Sequence, residues 1–368
     1  MNQKKLDKLL EEEELDSIFI YDDSYSNQNL FYLTNFLAPD PFVYYKKISK
    51  EPKMILPKME LSRAKECSSI DVLALSDYVE ERDYDEAIKK LVSDSNDVGV
   101  PLDFPLSSAK KINNELKPID VSKIRRNKSS QEIEYIQKAQ KVAEKGIKKA
   151  IEVFKDAENI DGKLYYDNDA LTSSDIKFVI ENELLKHNAI CEDIIVSSGQ
   201  KSANPHKSGE GHLCASPIVI DVFPRLRKER YCGDITRTFS LEQSPEVEEM
   251  YDDVLEAQKE AFENIESGIS ASEVHQAVVD LFDEKGYGVQ DKEEDINFLH
   301  STGHGVGLDV HEKPGVSEKD EILEEGDVIT IEPGLYGKEV GGVRIEDLVV
   351  VKKDSYLNLT NLEKELVL

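Results

Sequence analysis

Through residue 122 the chain alternates short apolar blocks with charged stretches of helical spacing. The opening MNQKKLDKLLEEEELD reads as an amphipathic charged helix. SIFIY (17–21), NLFYLTNF (29–36), FVYY (42–45), KMIL (53–56) and DVLAL (71–75) read as strands, with helices around 60–67 and 83–91. Such alternation predicts a small α/β domain. KPIDVSKIRRNK (117–128) reads as a linker strand, with Arg125 and Arg126 as a linker charge pair. A long helix follows at 129–154, opened by a capping signal in which Ser129 or Ser130 precedes Glu132 or Glu134. The expected division is therefore 1–122 and 123–368. In the second part, helices at 173–186, 247–265 and 271–285 are interleaved with strand-like DIIVSSG, PIVIDVF, CGDITRTFS, DVITIEP, GGVRIEDLVVV and YLNLT. That pattern predicts an α+β domain with a mainly antiparallel sheet.

Composition narrows the function classes. The 368 residues are 39% hydrophobic and 33% charged, enough apolar material for packed cores under a solvated surface. The formal charge of -29 repels phosphate backbones and anionic headgroups, so neither nucleic acid nor membrane is an expected partner. Four scattered cysteines with no CxxC spacing suggest neither a disulfide framework nor a zinc ribbon. With no apolar run approaching a membrane span, a cytoplasmic protein is expected.

Five residues in the second part are hard to explain as packing: Asp221, Asp234, His304, Glu332 and Glu346. Each interrupts or ends an apolar run, as in PIVIDVF, TIEPGLY and VRIEDLVVV. A lone buried carboxylate costs several kcal/mol unless it is paired, protonated or bound to a cation. Oxygen donors plus an imidazole suit hard or borderline divalent metals, and two of these balance four carboxylates. Asp221 and Asp234 are expected to face each other on a hairpin turned by RLRKER, whose Arg225, Arg227, Lys228 and Arg230 form a solvated tip. In HSTGHGVGLDVHE, Gly303, Gly305 and Gly307 let backbone crowd the metal or substrate. His206, His300 and His311 supply further imidazoles for proton donation or carbonyl binding, whereas His187, His212 and His275 read as surface or packing residues.

The ordered set DVF…GDITRTF, HSTGHGVGLDVHE, TIEPGLY and GGVRIED resembles the catalytic core of the pita-bread metallopeptidase family, which contains methionine aminopeptidases, aminopeptidase P, prolidase and creatinase. NLFYLTNF resembles an Asn…Tyr-Leu-Thr-Gly-Phe stretch of the creatinase-like amino-terminal domain, with Asn35 in the glycine's place. IRRNKSSQEIEYIQKA resembles the family's interdomain entry. Methionine aminopeptidases lack that first domain, and creatinase lacks the metal ligands. The resemblance implies a pita-bread domain behind a creatinase-like one, with Asp221, Asp234, His304, Glu332 and Glu346 as ligands and Asp234 and Glu346 bridging two divalent metals. Manganese is the expected metal, with cobalt, zinc or iron as alternatives. It further implies hydrolysis of Xaa-Pro bonds in a proline-containing peptide by a metal-bridging hydroxide. Glu332 would move the proton, His206 and His311 would steady the oxyanion or orient substrate, and His300 would line the pocket. Arg344, two residues before Glu346, would hold a carboxylate ligand or the substrate terminus. A homodimer is expected on the same ground. Asp221-Val222-Phe223-Pro224 resembles an Asp-Ile-Phe-Pro variant within the family, which bears on specificity. The rival readings are a non-catalytic peptide binder on the same fold and a hydrolase of a small-molecule C–N bond.

Overall fold

Ser17–Asp22 holds four fully buried residues in succession, so this strand lies at the centre of a sheet rather than at its edge. In the computed structural model, which describes residues 2–112, 115–290 and 292–368, contacts divide the chain into two compact units, Met1–Arg125 and Arg126–Leu368. The first is a six-stranded sheet in the order Asp71–Ala74, Lys53–Leu56, Phe42–Lys47, Ser17–Asp22, Val98–Pro101, Leu116–Ile119. Phe42–Lys47 runs antiparallel to both of its neighbours, and the remaining pairs are parallel. The expected linker strand is in fact the edge strand Leu116–Ile119. The turn after it, Val121–Arg125, packs on the helices Asn2–Glu12 and Gln28–Thr34, so the division falls after Arg125 rather than near residue 122.

NLFYLTNF is a helix, Gln28–Thr34, and not a strand. A short, wholly apolar run does not distinguish the two by periodicity, and here the caps decide. The Asn27 side chain accepts the Leu30 N–H at 2.9 Å to start the helix. Asn35, at φ 52°, ends it with its own N–H on the Phe31 carbonyl. Asparagine tolerates that left-handed conformation, so it can stand where the resembled stretch has glycine.

In the second unit every pairing between extended strands is antiparallel among the described residues. Two pairs of helices each pack on their own set of strands, the first pair on one sheet and the second on strands of two. Ser130–Lys155, opened by a reciprocal Ser129–Glu132 capping box, and Ser173–Lys186 share one apolar core with Ile195–Ser198, Ile218–Val222 and Ile235–Phe239. Pro245–Glu263 and Ala271–Glu284 share another with Val328–Ile331, Gly341–Arg344 and Asp347–Val351. The core-facing stripes of the helices drive this layering, since each sheet has one face to bury.

GGVRIEDLVVV, expected as one strand, is two. Gly341–Arg344 pairs with Gly334–Gly337 in one sheet, and Asp347–Val351 pairs with Val328–Ile331 in another. Pro333 has no N–H to continue the ladder, which explains a break at this level in its own strand and in the strand opposite. Gly334–Gly337, Gly303–Gly305 and Glu312–Val316 are strands that the apolar pattern does not announce, because glycine supplies no side chain to alternate.

Candidate metal centre

Two strands cross between sheets at the same level, and each carries a glutamate at its crossing. The register that pairs Ile331 with Asp347 is also the register that pairs Gly334 with Arg344. Carried across the gap, it sets Glu332 opposite Glu346. Directly opposed like charges destabilise a strand pair, so this placement needs a compensating cation or proton. The Glu346 N–H leaves the hairpin for the Thr236 carbonyl at 3.1 Å, and the Thr236 hydroxyl donates to the Glu346 carboxylate at 2.9 Å. These bonds tie the crossing to the Ile235–Phe239 strand.

That neighbouring sheet brings the aspartates. Asp221 lies in Ile218–Val222, where its register partner is Thr236, while Asp234 sits just before Ile235–Phe239 and outside the ladder. The two acids therefore do not face each other as a simple hairpin would place them. The basic insert is not a free turn either. Arg225–Leu226 pairs with Ala189–Ile190, and Arg230 is buried, leaving only Arg227 and Lys228 exposed. Asp234 is held from behind by Gln140, which accepts its N–H and donates to its carbonyl, both at 2.8 Å.

His304 comes from Gly303–Gly305, and its N–H donates to the Thr330 hydroxyl at 3.0 Å. The glycines around it make room for backbone and a neighbouring carboxylate rather than for metal or substrate. A Cβ at Gly303 would stand 1.9 Å from the Thr330 carbonyl oxygen, and one at Gly307 would stand 1.8 Å from the Glu312 carboxylate. Glu312 itself forms a buried ion pair with Lys128 at 2.7 Å. Arg126, expected as half of a linker charge pair, instead pairs with the buried Asp327 at 2.8 Å.

All nine sequence-predicted site residues meet around one cavity of about 460 Å³. Asp221, Asp234, His206, His300, His304, His311, Glu332, Arg344 and Glu346 line it, together with Asp193, Ile195, Pro205 and Phe223 among others. One donor atom from each of Asp234, His304 and Glu346 lies within 4.8 Å of the others. His304 Nε2 is 3.3 Å from a Glu332 oxygen and 3.6 Å from an Asp234 oxygen. His304 Nδ1 lies 3.2 Å from the Gly305 carbonyl, which can only accept, so Nδ1 carries the proton and Nε2 presents a lone pair. Burial holds His304 below the usual imidazole range, against the pull of nearby acids.

The acids show the same shortage of positive charge. Burial, then repulsion from Glu346, Asp221 and Glu332, pushes the Asp234 carboxyl well above the usual carboxylate range. Burial followed by Glu332 and Asp221 does the same to Glu346. Burial lifts Glu332 to about 7, with Arg344 opposing the rise and Asp221 adding to it. Asp221 Oδ2 accepts from Arg344 at 2.7 Å, while its buried Oδ1 has no hydrogen-bond partner among the described residues. A lone-pair nitrogen facing carboxylates, an orphaned carboxylate oxygen and acids that resist ionisation all fit divalent cations held by oxygen and imidazole.

Around this cluster, Arg344 also donates to the Thr236 hydroxyl at 3.1 Å and to the Tyr336 hydroxyl at 3.0 Å. The strand expected to carry Arg344 and Glu346 on one face breaks between them, and both still reach the cavity. His300 Nδ1 donates to the Ser301 carbonyl at 2.7 Å, so its Nε2 accepts from Tyr336 at 2.8 Å. Burial and Arg344 hold this imidazole neutral, with its pKa lowered to about 3. Both of its nitrogens are occupied, and it offers the cavity its ring rather than a donor. His206 and His311 are exposed at the rim, where the His311 ring stands edge-on to His304 at 4.2 Å. His275 is buried and bonded to Thr302 at 2.8 Å, a packing role. Sequence reading missed Gln140, Thr236, Thr330 and Tyr336. Thr236 and Thr330 each lie two residues along the chain from an acid of the cluster, a spacing that marks a shared strand face.

Comparison with known proteins gives this geometry a family. Residues 134–353 match metallopeptidase family M24, and residues 3–127 match the creatinase/prolidase N-terminal domain. An Xaa-Pro dipeptidase of Pyrococcus horikoshii is 33% identical over 374 residues, covering 100% of this chain and 99% of that protein. The solved Xaa-Pro dipeptidase from Bacillus anthracis superposes with a TM-score of 0.85 at 28% identity, covering 100% of each chain. An X-Pro aminopeptidase from Thermotoga maritima gives 0.81 at 28% identity, covering 100% of this chain and 99% of that one. With matches spanning both units, the chain belongs to metallopeptidase family M24 and is a metallopeptidase with a creatinase-type first domain and a pita-bread second domain.

Proposed function

We propose that the protein hydrolyses the peptide bond before proline, as an Xaa-Pro dipeptidase or Xaa-Pro aminopeptidase. The observation that carries this reading is the meeting of Asp221, Asp234, His304, Glu332 and Glu346 around one cavity with the rim imidazoles His206 and His311. Full-length relatives named for Xaa-Pro cleavage support the choice of bond. The five cluster residues would hold two divalent cations. When bound, such a pair supplies the positive charge that polarises a carbonyl and makes water acidic enough to attack at neutral pH. Manganese is our first choice, ahead of cobalt, zinc and iron.

The chain's own residues divide the remaining work. Glu332, steadied by the Thr330 hydroxyl at 3.3 Å, takes the proton of the attacking water and passes it to the leaving nitrogen. His206 and His311 reach the cavity from its rim and donate to the oxygen on which negative charge develops. Arg344 fixes Asp221, and Tyr336 fixes both Arg344 and His300. A cavity of about 460 Å³ suits a dipeptide or the first residues of a longer chain. A reducing compartment suits the four free cysteines, so we assign the protein to the cytoplasm; the family resemblance suggests a homodimer.

The test is an assay of Gly-Pro, Ala-Pro and Ala-Pro-Ala with manganese, cobalt or zinc returned to metal-stripped protein. Turnover of Gly-Pro and Ala-Pro alone makes it a dipeptidase, and turnover of Ala-Pro-Ala makes it an aminopeptidase. Absence of turnover on all three, with metal bound, contradicts the reading.

A further inference from the structure

A groove of about 640 Å³ adjoins the metal cavity. Pro205 lines both, and the groove's exposed Leu299 is the chain neighbour of His300 in the cavity. Three lysines line the groove, Lys201, Lys207 and Lys338, and no acid does. In a chain with a formal charge of -29, such a concentration of positive charge stands out. Two carboxylates lie behind it: Glu210 is 3.9 Å from Lys207, and Glu339 accepts from the Gln200 amide at 3.2 Å. With both counted, the groove is still positive. The Lys201 ammonium meets the Glu210 carbonyl at 3.0 Å, and no described carboxylate forms an ion pair with Lys201 or Lys338. The backbone that carries Lys201 is fixed. In the turn Gly199–Ala203, the buried Ser202 hydroxyl donates to the Gly199 carbonyl at 2.6 Å and accepts the Gly342 N–H at 2.8 Å. A Cβ at Gly342 would stand 2.2 Å from the Ser202 carbonyl oxygen, so turn and strand are pressed together. Farther out, a third cavity shares Leu299 and Lys338 with the groove and is lined by Glu293, Glu294 and Asp295. The positive window is therefore bounded on both sides by acidic walls.

Position and charge together decide what the groove takes. An enzyme that removes the first residue keeps one residue ahead of the scissile bond, so whatever part of a peptide runs on out of the cavity lies on the proline side. Exposed ammonium groups, charged at neutral pH, attract a carboxylate on that stretch, and Leu299 offers the chain between an apolar wall. We propose that the groove is a subsite for the residue that follows proline, and that Lys201, Lys207 and Lys338 select a carboxylate there. That carboxylate belongs either to an acidic side chain or to the peptide's own carboxyl end. The subsite rests on the proposed Xaa-Pro hydrolysis in its aminopeptidase form, and it names the peptides that form favours.

The experiment measures kcat/KM for the manganese-loaded wild type and for a variant combining Lys201→Gln with Lys338→Gln. The substrates are Ala-Pro, Ala-Pro-Gln-amide, Ala-Pro-Glu-amide and Ala-Pro-Gln with a free carboxyl end. Neither lysine lines the metal cavity, so both forms should cleave Ala-Pro, which ends at proline, equally well. In the wild type, a carboxylate after proline is expected to raise kcat/KM roughly fivefold over the neutral amide, the scale of two exposed ion pairs. The variant should abolish that preference, and high salt should do the same to the wild type. A preference for the glutamyl amide assigns the side chain, and one for the free acid assigns the chain end; either supports the subsite if the variant loses it. No preference over the neutral amide, a preference that the variant keeps, or a matching loss on Ala-Pro overturns it. A wild type that cleaves Ala-Pro but none of the longer peptides also overturns it and leaves the Xaa-Pro reading intact as a dipeptidase. A wild type that cleaves no prolyl peptide overturns both.

Discussion

In the first unit, the buried Lys46 ammonium meets the Asp7 carboxylate at 2.7 Å and the Lys50 carbonyl at 2.6 Å, so its charge is answered within a few ångströms by the chain itself. In the second unit, Asp234 and Glu346 are just as buried, yet apart from the Thr236 hydroxyl that donates to Glu346 the groups facing them are more acids and an imidazole lone pair. The same physical rule, that buried charge needs a partner, is met in one place by folding and is left open in the other. An open account of this kind marks a site built for something the chain does not contain. The contrast also explains why removing a carboxylate should have opposite consequences in the two units.

The largest expected effect is at the crossing. Glu346→Gln should lower prolyl-peptide turnover by at least about a hundredfold and weaken metal binding, as measured by steady-state kinetics and calorimetric titration. The same change should raise the melting temperature of the metal-free protein, because it removes one of the opposed carboxyls. A lowered metal-free melting temperature would mean that Glu346 is satisfied by partners within the chain.

A smaller effect concerns pH. Asp234, Glu332 and Glu346 have folded-state pKa values above those of the unfolded chain, with Glu332 at about 7. Between the unfolded value and the raised one, the folded metal-free protein holds more protons than the unfolded one. Stability is therefore fully present below the ordinary carboxylate range and lost as pH rises through about 7. Melting curves of chelator-treated protein should shift downward across that window, and saturating manganese should flatten the dependence.

The smallest effect belongs to the first unit. Asp7→Asn leaves Lys46 charged and buried with only carbonyl partners, and should cost about 1–2 kcal/mol in denaturant unfolding, because Asp7 is partly exposed. Metal content and kcat should not change. Together with Glu346→Gln, it tests whether the two units differ in sign as well as in size.

How much of this was legible in sequence follows from where the signal lies. Buried acids within apolar runs are chemically anomalous wherever they occur, so Asp221, Asp234, Glu332 and Glu346 stand out without coordinates. The helices at Ser130–Lys155 and Ser173–Lys186 carry both caps and period, and were equally plain. Gln28–Thr34 was misread because its period is hidden in a run that is buried all round, and only the backbone around Asn27 and Asn35 settles it. The break in GGVRIEDLVVV was hidden because its cause, Pro333, lies on the opposite strand. Gln140 and Tyr336 escaped because their roles depend on contacts across distant parts of the chain, which no local pattern encodes.

The most direct test of the central claim is the metal content of the protein after saturation with manganese and exhaustive dialysis, measured by plasma mass spectrometry. The account predicts a pair of manganese ions per wild-type chain and a clear deficit in Glu346→Gln. A wild type that retains none, or a variant that retains as much as the wild type, would contradict it.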